Sequence, residues 1–320
     1  MQVVAPVISN VEIAPSIFRM SLSAPGIARS ALPGQFVHVV CHDAGNHVSE
    51  GSRNSGLSLD PLLRRPFSIC RVDRSGATID LVYQVVGRGT EMLSRVAPGE
   101  AGRAGAVDIL GPLGRGFDIP RSLAGEDAAG RALLVAGGLG VAPLIFLAYA
   151  LAERQVRADV AVGARSRDLL WGIDEFELLG FGVELATEDG SAGARGLVTE
   201  LVERRLCESL GGHGAPTVRY AAIFACGPAP MLAAVARLAG ERGVPCQVSL
   251  EERMACGVGA CLGCVVKTKA GYRRVCADGP VFNAADIFFD SDGLDFDPGA
   301  SDAGVLHEAG MPDEARLSDR

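Results

Sequence analysis

The chain has 320 residues, of which 48% are hydrophobic and only 5% aromatic, and it contains 41 glycines. This length allows two or three hydrophobic cores, so we expect a multidomain globular protein. The net charge of −8 excludes an ordinary nucleic-acid-binding protein, which needs clustered Lys and Arg. Residues 291–320 hold eight acidic and two basic side chains, which predicts a solvated, disordered acidic tail.

The sequence favours a cytoplasmic protein without a membrane span. Residues 1–10 lack the basic and apolar regions of a signal peptide. The most apolar stretch, 132–152, has three glycines and a proline near its start, which indicates a buried strand, a turn and a helix. Four of the nine cysteines cluster between residues 256 and 276. This distribution fits reduced thiols and one metal site.

Residues 1–118 are predicted to form a small barrel or sandwich of β-strands. Short Val/Ile-rich runs separated by turn residues predict the strands. They lie at residues 3–13, 17–23, 35–40, 66–72 and 78–85. A Gly/Ser/Asn-rich stretch at 43–59 predicts an exposed loop, and a short helix is expected at 90–96.

Residues 119–250 alternate between strand and helix patterns, which predicts a parallel, doubly wound α/β sheet. The predicted strands are 132–136, 159–164, 183–187 and 221–225, and the helices end near residues 153, 207 and 242. Residues 251–290 form a third, small unit rich in Cys and Gly. The expected fold class is therefore multidomain, α/β plus β.

The most specific motif is formed by Cys256, Cys261, Cys264 and Cys276. The C-x4-C-x2-C…C spacing is that of plant-type [2Fe–2S] proteins. Glycines within the loop allow it to wrap tightly and to point backbone N–H groups at the sulfurs. Four thiolates also suit a structural Zn²⁺ ion, although zinc sites usually use two short pairs of ligands.

A second motif predicts a flavin site. An Arg, an aromatic ring and a hydroxyl on one strand suit a phosphate, a flavin ring and its N5 atom, and a Gly-rich helix start suits a pyrophosphate. The residues are Arg65, Pro66, Phe67 and Ser68, followed by Gly89 and by Thr90 as a candidate N-cap. The strand motif alone is also compatible with an ordinary basic strand edge.

A third pair of motifs predicts a nucleotide site at the carboxyl edge of the sheet. Gly137, Gly138 and Gly140 lie between a strand and a helix, where glycines permit close approach to phosphates. Cys226, Gly227 and Pro228 end another strand and begin another helix at the same edge. The alternatives are a Gly-rich packing turn and a core cysteine.

In this order, the motifs resemble the ferredoxin–NADP reductase superfamily, and within it the electron-transfer subunits of class B dihydroorotate dehydrogenase. The resembling blocks are RRPFSIC, GRGTEML, GPLGRGF, GGLGVAPL, CGPAPML, SLEERMACGVGACLGC and VCADGPVF. The resemblance implies that residues 1–118 bind FAD, that 119–250 bind NAD and that 251–290 hold the [2Fe–2S] cluster. It adds Val82, Tyr83 and Gln84 to the FAD site.

The resemblance also implies a partner that holds FMN and oxidises dihydroorotate in pyrimidine synthesis, and a heterotetramer formed with that partner. One alternative is a reductase subunit coupling NAD(P)H to ferredoxin or sulfur compounds. In that subfamily the first cluster ligand resembles an Asp, whereas this chain has Cys256. The other alternative is a redox sensor, against which an intact nucleotide site argues.

The chain is not predicted to carry the substrate chemistry itself. Its histidines lie outside the motifs and are predicted to be surface residues rather than ligands or bases. They are His38, His42, His47, His213 and His307. Arg165 and Arg167 follow a strand end where an NADP 2′-phosphate could bind, but the resemblance favours NAD.

Overall fold

The computed structural model describes residues 1–41, 61–99, 105–123, 130–208, 218–290 and 293–294. The predicted loop at 43–59 and four of the histidines, His42, His47, His213 and His307, lie outside the described residues.

A closed antiparallel barrel is built from the first six strands. They are β1 (Gln2–Ala14), β2 (Ile17–Ser23), β3 (Phe36–Val39), β4 (Arg65–Asp73), β5 (Thr78–Gln84) and β6 (Ala106–Leu113), with helices α1 (Pro25–Ser30) and α2 (Arg88–Ser94) between them. The strand order is β1-β2-β5-β4-β3-β6. Alternate residues of β5, namely Ile79, Leu81 and Tyr83, are buried in the barrel.

Strand β6, which closes the barrel against β1 and β3, was not among the predicted strands. Its sequence contains Gly111 and Pro112, residues that normally interrupt a strand. Both lie beyond Leu110, where the pairing with β1 ends, and within a register shift against β3. Pro112 therefore does not remove a ladder hydrogen bond that the barrel needs.

The second unit is a sheet with helices on both faces, as predicted. Its elements in chain order are β7 (Arg131–Gly137), α3 (Val141–Glu153), β8 (Ala158–Ala164), α4 (Ile173–Leu178), β9 (Gly182–Thr187), β10 (Ala194–Arg195), α5 (Val198–Glu208), β11 (Tyr220–Cys226), α6 (Ala229–Glu241) and β12 (Cys246–Ser249). These six strands are parallel. Successive residues of β7 enter opposite cores: Leu134 packs with α3, and Leu133 packs with α5 and α6.

The third unit is joined to the same sheet. It contains β13 (Val265–Thr268), β14 (Gly271–Arg274), α7 (Val275–Asp278), β15 (Val281–Asn283), β16 (Phe289–Asp290) and β17 (Gly293–Leu294). Strand β15 pairs antiparallel with β12, so the sheet continues past residue 250. Strand β17 pairs with β16, which places the first residues of the predicted acidic tail in a short hairpin. Residues 295–320 lie outside the described residues.

The barrel contacts the second unit through helix α3, which packs against β4. An ion-pair network accompanies this packing, and Glu175 on α4 is its centre. Its carboxylate accepts hydrogen bonds from Arg19 at 3.0 Å, Arg71 at 3.4 Å and the Tyr149 hydroxyl at 2.7 Å. Arg19 also donates to Asp80 at 2.7 Å. None of the helices within the described ranges has the length and apolarity needed to span a bilayer.

Candidate functional site

A cleft of about 1020 Å³ opens between the barrel, the sheet and the segment leading into the cysteine loop. Three parts of the chain line it: the start of β4 with the end of β5 and the 86–90 turn, the start of α3, and residues 249–254. Ligand pockets usually have volumes of about 300–1,000 Å³. The cleft is therefore large enough for a dinucleotide such as FAD.

The predicted flavin strand lines this cleft with all four of its motif residues. Strand β4 places Pro66 opposite His38, and Ser68 opposite Phe36, on β3. The Phe67 ring packs against the Tyr83 ring with a centroid distance of 5.5 Å. The Arg65 guanidinium donates to the Leu63 carbonyl at 2.8 Å at the cleft wall. A cation, a ring and a hydroxyl thus meet at one side of the cleft.

Thr90 lies in the cleft wall, but it is not the N-cap of its helix. Helix α2 begins at Arg88, after the N-cap Gly87, so Thr90 is its third residue. The Thr90 hydroxyl accepts hydrogen bonds from the N–H groups of Val86 at 3.0 Å and Gly87 at 3.3 Å. These bonds fix the turn, and the backbone of residues 87–90 forms the surface offered to a ligand.

Tyr83 contributes to the cleft differently from Gln84. Its ring points into the barrel core, and its hydroxyl donates to Asn10 at 2.9 Å. Only the backbone of Tyr83 is therefore positioned to contact a ligand, and Val82 is also buried. Gln84, which is partly exposed at the strand end, is the residue of this group with an available side chain.

The two predicted nucleotide motifs contact each other at the carboxyl edge of the sheet. Strands β7 and β11 are neighbours, with Ala136 opposite Cys226. A Cβ atom on Gly140 would lie 2.0 Å from the Cys226 carbonyl oxygen, so only glycine fits there. A Cβ on Gly227 would lie 3.0 Å from the Gly137 nitrogen. Gly138 has a φ of +56° with open space around it, as a turn accessible to a ligand requires.

Two residues that sequence reasoning did not select, Ser249 and Glu251, line the cleft beside this edge. Ser249 lies opposite Cys226 in the β11–β12 pairing. Burial raises the pKa of the Cys226 thiol, and the Glu251 charge raises it further. Glu251 also lines the cleft, and burial of its carboxylate raises its own pKa. If β12 had been predicted in addition to the four other parallel strands, its carboxyl end, where both residues lie, would have been recognised as part of the site.

The four motif cysteines lie in two pairs. Cys256 and Cys261 are hydrogen-bonded neighbours, and so are Cys264 and Cys276. Backbone N–H groups point at the sulfurs, from Gly259 to Cys276 at 3.1 Å and from Cys276 to Cys264 at 3.4 Å. Cys264 and Cys276 are buried, whereas Cys261 is exposed.

The electrostatics of the two pairs differ. Burial acts to raise the pKa of Cys256, but hydrogen bonds from the N–H groups of Val258, Cys261 and Ala260 outweigh it and lower the pKa to about 6. Burial, followed by the neighbouring Cys264, raises the pKa of Cys276 to about 12. Cys256 is thus prepared to supply a thiolate at neutral pH, whereas Cys264 and Cys276 are shielded from solvent.

This arrangement fits a two-iron cluster better than a single zinc ion. A structural zinc site gathers four ligands around one point. Two separate pairs of thiolates match a [2Fe–2S] cluster, which takes four cysteines over two irons.

Arg274 links the cysteine loop to helix α7 through hydrogen bonds. Its guanidinium donates to both carboxylate oxygens of Asp278, at 2.9 and 3.1 Å, and to the Gly259 carbonyl at 3.1 Å. These hydrogen bonds hold the pKa of Asp278 down, to about 2. Gly259 has a φ of +80°, and a Cβ there would lie 2.8 Å from Ala277. The loop is therefore anchored to the segment that carries Cys276.

The prediction that His38 is a surface residue is wrong. It lies in β3 with 0% of its surface exposed. Its ring packs against the cysteine loop, because a Cβ on Gly257 would lie 2.5 Å from its Nδ1 atom. Burial and the nearby Arg64 charge lower the pKa of His38 to about 4. All four residues of β3 are buried, so the strand lacks the alternation that would have shown which element covers His38.

The two arginines considered for an NADP phosphate have different surroundings. Arg167 is bound to the Ser191 carbonyl, with its Nε at 2.9 Å. Arg165 is exposed at the end of β8. Only Arg165 is thus available for an added phosphate.

The closed barrel, the doubly wound sheet and the paired cysteines define an iron–sulfur flavoprotein reductase with the ferredoxin–NADP reductase fold. A solved NADH-dependent reduced ferredoxin–NADP oxidoreductase, described for flavin-based electron bifurcation, matches 89% of this chain and 90% of its own, with 29% identity and a TM-score of 0.72. The Amycolatopsis cytochrome P450 reductase shares the fold, with 21% identity over 76% of this chain and 66% of its own and a TM-score of 0.54.

Sequence relatives identify the family. Residues 251–288 match the iron–sulfur cluster binding domain of dihydroorotate dehydrogenase B. The dihydroorotate dehydrogenase B (NAD(+)) electron transfer subunit of Desulforamulus reducens is 40% identical over 282 residues, which cover 87% of this chain and 95% of the relative. That of Bacillus caldolyticus is 38% identical, covering 86% and 94%. The chain belongs to the family of dihydroorotate dehydrogenase B electron transfer subunits.

The family confirms the predictions of fold, class and cofactors. The chain is an oxidoreductase subunit that uses FAD, a [2Fe–2S] cluster and NAD. As an electron transfer subunit, it acts with a separate catalytic chain.

Proposed function

We propose that this chain conducts electrons from the FMN of a dihydroorotate-oxidising partner through a [2Fe–2S] cluster and FAD to NAD⁺, in cytoplasmic pyrimidine biosynthesis. One observation carries the proposal. The segment 249–254 lines the flavin-sized cleft, and Cys256 follows it after a single residue. The cleft and the first cluster ligand are therefore adjacent in the chain as well as in space.

In this proposal the barrel, residues 1–118, holds FAD. Arg65 binds a phosphate, Ser68 donates or accepts a hydrogen bond at the flavin ring, and Phe67 covers the ring. The backbone of Gly89 and Thr90, with Gln84, completes the site. Bound FAD accepts or donates hydride on one side and single electrons on the other.

The sheet, residues 119–250, holds NAD at its carboxyl edge. The close approach of Gly140 to Cys226 supports a compact cradle in which Gly137, Gly138 and the 226–228 turn face the nucleotide. Cys226, Ser249 and Glu251 surround the point where this edge meets the cleft. Arg167 is engaged by Ser191 whereas Arg165 remains exposed, so the choice of NAD rests on the relatives, which are named as NAD(+) enzymes.

The unit formed by 251–290 presents the cluster to the partner. Val258 and Leu262 in the cysteine loop are 52% and 60% exposed. Exposed apolar side chains around a redox centre suit a protein interface. We propose that the FMN-containing subunit covers this surface, in a heterotetramer of two chains of each kind.

A second candidate is a subunit that reduces ferredoxin, which the 0.72 TM-score with a ferredoxin–NADP oxidoreductase favours. The presence of Cys256 in place of an Asp ligand supports the dihydroorotate assignment over it.

Coexpression with an FMN-dependent dihydroorotate-oxidising chain tests the proposal. We expect a 2:2 complex by light scattering and NADH formation that depends on dihydroorotate. Leu262→Glu should weaken the complex, whereas Leu197→Glu, an equally exposed position on the sheet unit, serves as the matched control. Absence of a complex, combined with rapid reduction of ferredoxin by NADH, would favour the second candidate.

A further inference from the structure

His38 is an unusual residue in the barrel. It is fully buried between Val37 and Val39, and neither ring nitrogen has a hydrogen-bond partner among the described residues. Buried polar groups are nearly always hydrogen-bonded, and a buried group without a partner destabilises the fold. Only two other described side chains, Arg131 and Trp171, have an orphaned buried atom, and each has one. A histidine at this position therefore needs a reason other than packing.

The position of the ring indicates that reason. In the barrel, His38 pairs with Pro66 of the flavin strand. On its other side, the ring lies against Gly257, whose absent Cβ would meet Nδ1 at 2.5 Å and Cγ at 3.1 Å. The backbones of Met254 and Cys256 lie close enough to influence the ring. His38 thus lies between the flavin strand and the entry to the cysteine loop.

The carbonyl groups of the loop are the acceptors that the ring faces. A neutral imidazole has one N–H donor and one acceptor nitrogen. Arg64 donates to the His38 carbonyl at 3.3 Å, so it binds the backbone of His38 and leaves the ring nitrogens without a partner. A single N–H is therefore directed at a loop that carries the first cluster ligand.

We propose that His38 is a positioning residue: its N–H donates to a backbone carbonyl of residues 254–256 and holds the cysteine loop against the flavin strand. The inference rests on the proposed cluster site and extends it to a residue outside the cysteine motif. Gly257 serves the same contact, since any larger residue would displace the ring. The loop's first ligand is thus held at a constant separation from the FAD cleft.

The test compares His38→Leu with His38→Gln in the full chain loaded with FAD and cluster. Leu fills similar space without an N–H, whereas the Gln amide retains a donor. Trp171→Phe is the matched control, because it removes another buried ring N–H that lacks a partner. The measurements are iron release to a chelator, the electron paramagnetic resonance spectrum of the reduced cluster, and FAD content.

We expect His38→Leu to release iron up to about tenfold faster, the factor for one lost hydrogen bond. Its cluster spectrum should shift while FAD content stays unchanged. His38→Gln should restore most of the wild-type behaviour, and Trp171→Phe should behave as wild type. If Leu matched wild type, or if Gln and Leu were equally impaired, the N–H would not be the acting group. Wild-type protein without iron and labile sulfide would instead refute the cluster site itself.

Discussion

The barrel contacts its neighbours through two interfaces that differ in their polar contacts. Towards the nucleotide sheet, Arg19, Arg71 and Tyr149 converge on the carboxylate of Glu175. Towards the cysteine loop, the His38 ring packs against Gly257 without a hydrogen bond of good geometry. Ion pairs can separate and be replaced by water at modest cost, whereas a close-packed contact has no such substitute. The sheet side is close-packed as well, because Ile17, Cys70 and Val82 of the barrel pack with helix α3. The two interfaces therefore differ in ion pairing rather than in packing.

Cys256→Ser is the most direct test of the cluster site, because it replaces the first cluster ligand. A serine oxygen is a poorer, harder ligand for iron than a thiolate, so the cluster should become labile. Dihydroorotate-driven NAD⁺ reduction in the reconstituted complex should fall by more than about a hundredfold, beyond the usual effect of residues that only support ligands. NADH reduction of an artificial dye should persist, because the FAD and NAD sites lie elsewhere.

Cys207→Ser is the control for this variant. Cys207 is exposed on the sheet unit and contacts Arg242, so its replacement should leave both activities intact. If dihydroorotate oxidation survived in Cys256→Ser with the cluster absent, electrons would bypass the cluster and the proposed order of cofactors would be wrong.

Arg65→Ala tests the proposed FAD site of the barrel. Loss of a charge-assisted contact to a flavin phosphate should weaken FAD binding about tenfold to a hundredfold. The checking measurement is FAD retention after dilution, followed by fluorescence. Arg29→Ala on helix α1, away from the cleft, is the control. Full retention of FAD in Arg65→Ala would show that Arg65 is only a charged residue at the strand edge and does not bind FAD.

Glu175→Gln tests the ion-paired interface. The substitution removes the charged partner of Arg71 and one of the two charged partners of Arg19, which keeps Asp80. Both guanidinium groups are partly exposed, so we expect a loss of about 1–2 kcal/mol in the free energy of unfolding. Cluster content should be unchanged. Glu184→Gln, which disrupts the pairs with Arg204 and Arg205 within the sheet unit, is the matched control. A change in hydride transfer from NADH in Glu175→Gln alone would show that these ion pairs help to position the nucleotide unit.

The same interface should respond to acid. Burial alone would raise the pKa of Glu175, but the Tyr149 hydrogen bond and the charges of Arg71 and Arg19 hold it below its ordinary value of 4.5. On acidification the unfolded chain therefore takes up the proton first. The contribution to stability is complete above about pH 4.5 and is lost as the pH falls through the folded-state pKa.

Urea unfolding of wild type and Glu175→Gln checks this dependence. The difference between the two proteins should be largest at neutral pH and should shrink below about pH 4.5. An equal difference at every pH would mean that the carboxylate charge is not what stabilises the interface.

Local sequence patterns predicted most of the fold and the chemistry of the site. Strand β2 occupies the predicted residues 17–23, and α3 ends at the predicted residue 153. The barrel strand β6 was missed because Gly111 and Pro112 interrupt its pattern, and β12 was missed because it has only four residues. Because β12 was missed, Ser249 and Glu251 were not identified as cleft residues. The cysteine motif, by contrast, was clear from the sequence.

The errors share a physical cause, which is contact between distant parts of the chain. His38 was taken for a surface residue because its neighbour Gly257 lies more than two hundred positions away in the sequence. The orientation of the Tyr83 ring was likewise not predicted, because its hydroxyl donates to Asn10 across the barrel. Thr90 was taken for an N-cap because the start of α2 at Arg88 is not marked by a typical capping residue.

The central claim is that FAD and a [2Fe–2S] cluster are held in electronic contact by this one chain. An anaerobic titration of the purified protein with NADH tests it, with flavin absorbance and the electron paramagnetic resonance signal of the cluster followed in the same sample. We expect about one FAD, two irons and two labile sulfides per chain, with both centres reduced by NADH. Stoichiometric zinc without labile sulfide, or a flavin that bleaches while an intact cluster stays oxidised at every NADH concentration, would contradict it.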